Sequence, residues 1–169
     1  MSTYAELLAK RITTAPRRVV RIPVYLDRDS IDELEQARAD LSAERARLAA
    51  TEGKVKQGSI VRLAATVTEL EKRVEETTII AVLQALSSTD EETVRAEHDP
   101  AEESFAYLSA RLTKAFQRWE TAGGEPIDDL TESDWRRIIE VTPAVELTAW
   151  TAQLNRSGQA PDFPTFARS

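Results

Sequence analysis

The chain has 169 residues, with 22 Lys or Arg against 29 Asp or Glu and a formal net charge of −7. It contains no Cys and one His, which excludes disulfides, Cys-based zinc sites, Cys nucleophiles and sites built from several His side chains. The hydrophobic fraction of 41% supports a modest core, and the charged fraction of 30% is typical of solvated helices. One or two small domains are expected.

Apolar segments are short throughout the chain. The start, MSTYAELLAKR, has no long apolar stretch after a basic segment and so does not match a secretory signal. The longest apolar run, IIAVL at 79–83, is far shorter than the ~20 residues that cross a bilayer. We therefore expect a soluble cytosolic protein with no membrane partner.

Charge is distributed unevenly along the chain. Residues 1–28 hold six basic and two acidic side chains, whereas residues 87–169 hold eight basic and sixteen acidic ones. This gradient is typical of solvated helix faces, but it also fits a basic partner or an attraction between the two ends of different subunits. Because phosphate neutralisation supplies most of the affinity for nucleic acids, no nucleic-acid partner is expected for so acidic a chain.

The first two predicted elements are a short helix over residues 2–11 and a strand over residues 18–26. In the strand Val20, Ile22, Val24 and Leu26 alternate with the other side chains, which predicts one buried face. Pro23 has no N–H to donate, so the strand should lie at a sheet edge or have the Pro23 side unpaired.

Two heptad patterns follow, over residues 31–50 and 59–76, and predict an antiparallel coiled-coil helical hairpin. The first seam consists of Ile31, Leu34, Arg38, Leu41, Arg45 and Leu48. The second consists of Ile60, Leu63, Val67, Leu70, Val74 and Thr77. The two Arg side chains weaken the first seam unless their stems cover apolar neighbours while the guanidinium groups reach solvent or an acid such as Glu69 or Glu71.

Residues 77–83, TTIIAVL, are apolar and β-branched on both faces, which favours a second strand. A helix continuing to Leu86 is the alternative. With the strand, residues 1–86 form a two-stranded β-unit that is interrupted by the hairpin. The predicted fold class is therefore mainly α (α+β).

Residues 87–155 are predicted to form a C-terminal helical bundle, and residues 156–169 a flexible tail. Thr89–Glu92 is a capping box for a short helix that ends before His98-Asp99-Pro100. The next helix has an apolar stripe, and Gly123-Gly124 is predicted to end this helix. That stripe consists of Phe105, Leu108, Leu112, Phe116 and Trp119. Thr131–Asp134 caps a short helix, and the last helix begins at Thr142-Pro143.

The residues offer no catalytic constellation. His98 is the one imidazole and is typical of a capping or turn position. Most of the paired carboxylates fall at helix starts, where they stabilise the helix dipole. Phosphate-binding glycine loops and calcium-loop patterns are absent from the sequence. No enzyme activity, cofactor or metal is therefore predicted.

Five aromatic residues are candidates for binding a partner. Trp119, Trp135 and Trp150 lie at apolar positions of predicted helices, where core packing is the ordinary role and an interface anchor is the alternative. Phe163 and Phe166 lie in the tail segment PDFPTF, which is either a plain disordered tail or a docking peptide.

The order of these elements resembles the tail assembly chaperones of long-tailed (siphovirus-type) phages of actinobacteria. The resemblance rests on MSTYAELLAKR, RRVVRIPVYL, the charged hairpin, TTIIAVLQAL and AEHDP. In the C-terminal part it rests on Leu130–Trp135, and later on Trp150–Asn155. One departure is His98-Asp99-Pro100, where such proteins more often have a His-Pro pair.

The resemblance implies a non-enzymatic protein of the host cytoplasm that is not expected in the mature virion. Such chaperones bind the tape measure protein and keep it soluble while the tail tube assembles, and they are often made in two lengths by a ribosomal frameshift. The major tail protein is a second candidate partner, and self-association a third kind of contact. The alternative is a structural tail or head–tail component that uses the hairpin as an interaction module.

Overall fold

A computed structural model describes residues 3–14, 17–51, 58–98 and 104–158. Within them the chain is mostly helical, with a small four-stranded antiparallel sheet in the order β1-β2-β3-β4. The helices are α1 (Tyr4–Thr14), α2 (Arg28–Ala49), α3 (Gly58–Glu76), α4 (Ser88–Glu97), α5 (Phe105–Ala115), α6 (Glu132–Val141) and α7 (Ala144–Gly158). The strands are β1 (Val19–Tyr25), β2 (Thr78–Gln84), β3 (Phe116–Thr121) and β4 (Pro126–Ile127). The predicted mainly helical class with a small sheet is confirmed.

The chain divides into two compact units. One consists of residues 1–22, 81–119 and 128–169, and the other of residues 23–80 and 120–127. In the first unit α5 contacts α4, α6 and α7, and in the second α2 packs against α3. The division into 1–86, 87–155 and 156–169 that the sequence suggests stays a prediction.

The first strand lies at an edge of the sheet, as Pro23 predicts. The amide of Leu26 donates to the carbonyl of Thr77 (3.1 Å), and the amide of Ala85 donates to the carbonyl of Arg18 (2.9 Å). Both bonds give the same antiparallel register, in which the even-numbered residues of β1 direct their backbone groups at β2. Pro23 is odd-numbered and faces the outer edge, where its missing N–H costs no ladder hydrogen bond.

The buried face of β1 is shorter than predicted. Ile22 and Val24 are buried and Val20 is half-buried, but Leu26 is 59% exposed. The reason is that the strand ends at Tyr25 and the chain turns at once into α2, whose N-cap is Asp27.

The segment after the hairpin is a strand, so the alternative of a continued helix is wrong. α3 ends at Glu76, where Thr77 and Thr78 hydroxyls donate to carbonyls of its last turn. Ala81, Val82 and Leu83 in β2 are all fully buried. A strand covered on both faces needs apolar side chains on both, which is the pattern that the sequence shows.

Most apolar residues of the two predicted heptad patterns lie at the contact of α2 with α3, but the two Arg positions of the first pattern do not. Leu34, Ala37 and Leu41 are the buried apolar residues of α2, and they pack with Val67 of α3. The predicted seam residues Arg38 and Arg45 are both exposed. Ala37 takes the buried position beside Leu34 and Leu41 that the prediction assigned to Arg38, because burial of an unpaired guanidinium group is unfavourable. Arg38 instead reaches Glu71 with a 2.7 Å hydrogen bond, one of the two acids foreseen for it.

Two capping boxes open helices of the C-terminal part, one of them displaced from its predicted position. Ser87 is the N-cap of α4, and its partner in the box is Asp90, so the predicted box that begins at Thr89 is wrong. A serine two positions earlier satisfies the same free amides of the first turn. The box of Thr131 and Asp134 at the start of α6 is confirmed.

The predicted helix through Trp119 ends at Ala115 and is replaced by a hairpin of β3 and β4, so the sheet has four strands rather than two. The Gly123-Gly124 pair forms the turn of this hairpin instead of a helix end. Gly124 has a φ of +89°, which favours glycine. The amide of Gly124 donates to Thr121 (2.9 Å), and the amide of Thr121 donates to the carbonyl of Glu125 (2.8 Å).

Candidate partner-binding surfaces

The structure brings the three Trp residues together in one aromatic cluster of the first unit, with Phe116 as a fourth member. Trp135 is central, with ring centroids 5.4 Å from Trp150, 5.8 Å from Trp119 and 5.9 Å from Phe116. The contact with Trp119 is edge-to-face and those with Trp150 and Phe116 are stacked, both favourable geometries for aromatic rings.

The Trp side chains differ in how much a partner can reach. Trp119 and Trp135 are 1% and 0% exposed, and their indole N–H groups donate to the carbonyls of Thr131 (2.9 Å) and Leu112 (3.0 Å). Trp150 is half-buried. Trp119 and Trp135 are therefore packed in the core, which is the ordinary role considered for all three. A partner-binding role stays a prediction, and of the three only Trp150 has surface that a partner could contact without a rearrangement.

The other two predicted partner-binding residues, Phe163 and Phe166, lie outside the residues that the structure describes. His98 is the C-cap of α4, and its amide donates to the carbonyl of Val94 (2.9 Å). This position agrees with the capping role expected of that histidine. Within the described ranges, no group of three or more His, Asp or Glu side chains is placed to hold a metal ion.

Sequence reasoning missed a buried polar cluster around Arg111. Arg111 is 7% exposed, and its Nη2 donates to Glu91 of α4 and to Asn155 of α7 (2.7 Å). Its guanidinium also lies 5.7 Å from the ring centre of Tyr107. The sequence signal for its burial was weak: Arg111 lies directly before Leu112, a residue of the predicted apolar stripe. The cluster joins three helices and is a structural feature of the core.

Two exposed valines, which together we call the valine patch, lie on either side of the break between α6 and α7. Val141 is the last residue of α6 and is 79% exposed, while Val145 in the first turn of α7 is 76% exposed. Glu140, beside Val141, is also exposed.

The helical hairpin of the second unit is fixed at both ends by polar contacts. At its base, Arg73 of α3 forms ion pairs with Asp27 (3.5 Å) and Glu33 (3.8 Å). Hydrogen bonds from Ser30 lower the pKa of Asp27, and the positive charge of Arg73 lowers it further. At its far end, Ser59 of α3 donates to Glu44 of α2 (2.7 Å).

A groove of about 620 Å³ runs along one side of this hairpin, between α2 and α3. Its floor includes Ala37 and Leu70. Four carboxylates and one guanidinium line its walls: Asp32, Glu33, Asp40, Glu69 and Arg73. Since Arg73 already pairs with Glu33 and Asp27 at one end, the groove presents a negative surface.

No protein-family model, curated protein or solved structure matches this chain. Among the described helices, none has both the length and the apolar character that crossing a membrane requires.

Proposed function

We propose that this protein is a phage tail assembly chaperone that binds the tape measure protein and keeps it soluble during assembly of the tail tube. The resemblance of its N-terminal and C-terminal segments to such chaperones supports the proposal. The major tail protein is a second candidate partner. In this role the protein acts in the host cytoplasm and leaves before the virion is complete.

The observation that carries the proposal is the valine patch. A long helical client exposes apolar stripes before its tube forms, and exposed aliphatic side chains on a helical surface can pair with such stripes. Val141 and Val145 provide this contact on the acidic part of the chain, where residues 87–169 hold twice as many acidic as basic side chains. The net negative charge then opposes aggregation of the complex.

Co-expression with the tape measure protein tests this function. We expect a larger soluble fraction of the client with the wild-type chain than without it, and a loss of that gain in the double variant Val141→Asp/Val145→Asp. Val61→Asp is the matched control, because Val61 is a 65% exposed valine that belongs to the other compact unit. Equal client solubility with and without the chain contradicts the proposal.

The alternative function, a structural tail or head–tail component, is favoured by the contacts at both ends of the hairpin. Because Arg73 pairs with Asp27 at one end of the hairpin and Ser59 donates to Glu44 at the other, α2 and α3 can act as an antiparallel coiled coil that binds a neighbour. The C-terminal helices would then form a bundle around α5. Mass spectrometry of purified particles separates the two functions, since a structural component is present in stoichiometric amount and a chaperone is absent or scarce.

A further inference from the structure

The first helix, α1, has an apolar face that nothing in the described structure covers. Tyr4 is 92% exposed, Leu8 60% and Leu7 52%, and these residues form an i, i+3, i+4 stripe along one side of the helix. Every described side chain from Thr3 to Lys10 is exposed. A helix of 11 residues is marginal in water by itself, because most helical stability in proteins comes from packing an amphipathic face. The stripe therefore indicates a surface on another molecule.

The sequence around α1 is also the basic part of an acidic chain. Residues 10–18 contain three Arg and one Lys and no acidic residue, and residues 1–28 as a whole carry four more basic than acidic side chains. A surface that covers α1 should therefore combine apolar floor residues with acidic walls.

The groove of the helical hairpin has these properties. Leu70 is its accessible apolar lining residue, beside the buried Ala37, and Asp32, Asp40 and Glu69 are among its acidic lining residues. Two packed helices cannot enclose their own seam, and on α3 only Val67 is buried, while Leu63, Leu70 and Val74 remain partly exposed. A third helix that lies in the groove would extend the burial of Leu70, which lines it.

We propose that α1 of one copy docks into the hairpin groove of a second copy, so that the protein self-associates through its oppositely charged parts. In this arrangement Leu7 and Leu8 lie against Leu70, and the net positive charge of residues 1–28 is attracted by the carboxylates of the groove. Arg17, which pairs with Asp90 (3.5 Å), is not required for the contact. A reciprocal exchange of α1 between two copies closes the assembly as a two-fold dimer and buries both stripes. This contact uses neither Val141 nor Val145, so it is separate from the proposed client surface.

Sedimentation equilibrium of the full chain tests the proposal. We expect a dimer at about 100 μM, a concentration that populates a complex with a micromolar dissociation constant. The dissociation constant should rise with added salt, because salt screens the attraction between the two charged surfaces. Leu7→Asp/Leu8→Asp in α1, and separately Asp40→Lys/Glu69→Lys in the groove, should each raise it about tenfold or more.

A mixture of the two double variants provides the sharper test. One retains an intact groove and the other an intact α1, so the mixture can form one native contact, and we expect the heterodimer to have a lower dissociation constant than either variant has for its own homodimer. Val145→Asp is the control and should leave the dissociation constant unchanged. Circular dichroism checks that each variant folds. The proposal is overturned by a monomeric wild-type chain, by an α1 variant that dimerises normally, or by a mixture whose heterodimer is no tighter than the two homodimers.

Discussion

Ser59 Oγ donates a 2.7 Å hydrogen bond to Glu44 Oε1 and so joins the first turn of α3 to the last two turns of α2. Glu44 also accepts two 2.8 Å hydrogen bonds from Arg47. The hydrogen bonds from Arg47 and Ser59, together with the positive charge of Arg47, lower the pKa of Glu44 to about 2. The far end of the hairpin therefore depends on a charged carboxylate.

Glu44→Gln should make the hairpin less stable at neutral pH and remove part of its acid sensitivity. The folded-state pKa of about 2 lies below the ordinary value of 4.5, so the stabilisation is complete above that ordinary value and is lost as pH falls toward 2. In urea denaturation, the difference in unfolding free energy between wild type and variant should shrink over that range. Glu75→Gln, at an exposed position of α3, is the control. A difference that is the same at both ends of the range contradicts this account.

Arg111→Ala should be among the most destabilising single changes, at a cost of about 3 kcal/mol in unfolding free energy, because it leaves Glu91 and Asn155 without their buried partner. Urea denaturation at neutral pH measures the loss. Arg136→Ala is the matched control, since Arg136 forms an exposed i, i+4 pair with Glu132 and its removal should cost less than about 0.5 kcal/mol.

A double variant shows whether the pairing itself accounts for the effect of Arg111. Glu91→Ala combined with Arg111→Ala should cost clearly less than the sum of the two single changes, since removing both partners leaves no unpaired charge. Additive losses would mean that the stems of the two side chains, and not their ion pair, stabilise the junction of α4 with α5.

The sequence was informative where periodicity and turn chemistry act alone. The seam of α3, the strand β2 and the edge position of Pro23 followed from it. The prediction failed at the buried positions of α2. Ala37 and Arg38 each continue the heptad pattern from Leu34, and only packing against α3 decides which of them is buried. The prediction also failed at Phe116, where a helical stripe continues into β3. The spacing of Leu112, Phe116 and Trp119 fits a helix, but residues after Ala115 form a strand because β3 pairs with β2 and β4.

The partner-binding residues were the least predictable part. The Trp side chains could be recognised as apolar anchors, but their burial depends on which helices meet, and Val141 and Val145 carry no motif that would have identified them. Exposure of an aliphatic side chain is a property of the packed structure, so it could not be obtained from spacing.

Trp135→Phe should destabilise the first unit much more than Trp150→Phe. Trp135 is fully buried, contacts three aromatic rings and donates to the carbonyl of Leu112, which a Phe side chain would leave without this bond. We expect a loss of about 2 kcal/mol for Trp135→Phe and less than about 1 kcal/mol for the half-buried Trp150. Urea denaturation followed by circular dichroism measures both. The reverse order would show that Trp150, not Trp135, is the centre of the cluster.

Gly124→Ala should destabilise the β3–β4 hairpin by about 1 kcal/mol, because the φ of +89° at this position is unfavourable for any residue with a Cβ atom. The cost arises within the local backbone and not from more distant residues, since a Cβ there would meet none of them within 4 Å. Gly123→Ala is the matched control in the same turn: its Cβ would lie 3.7 Å from Thr121 Oγ1, an ordinary contact. Thermal denaturation of the two variants compares them directly. Equal losses would mean that the turn tolerates a side chain at both positions and that backbone conformation does not select Gly124.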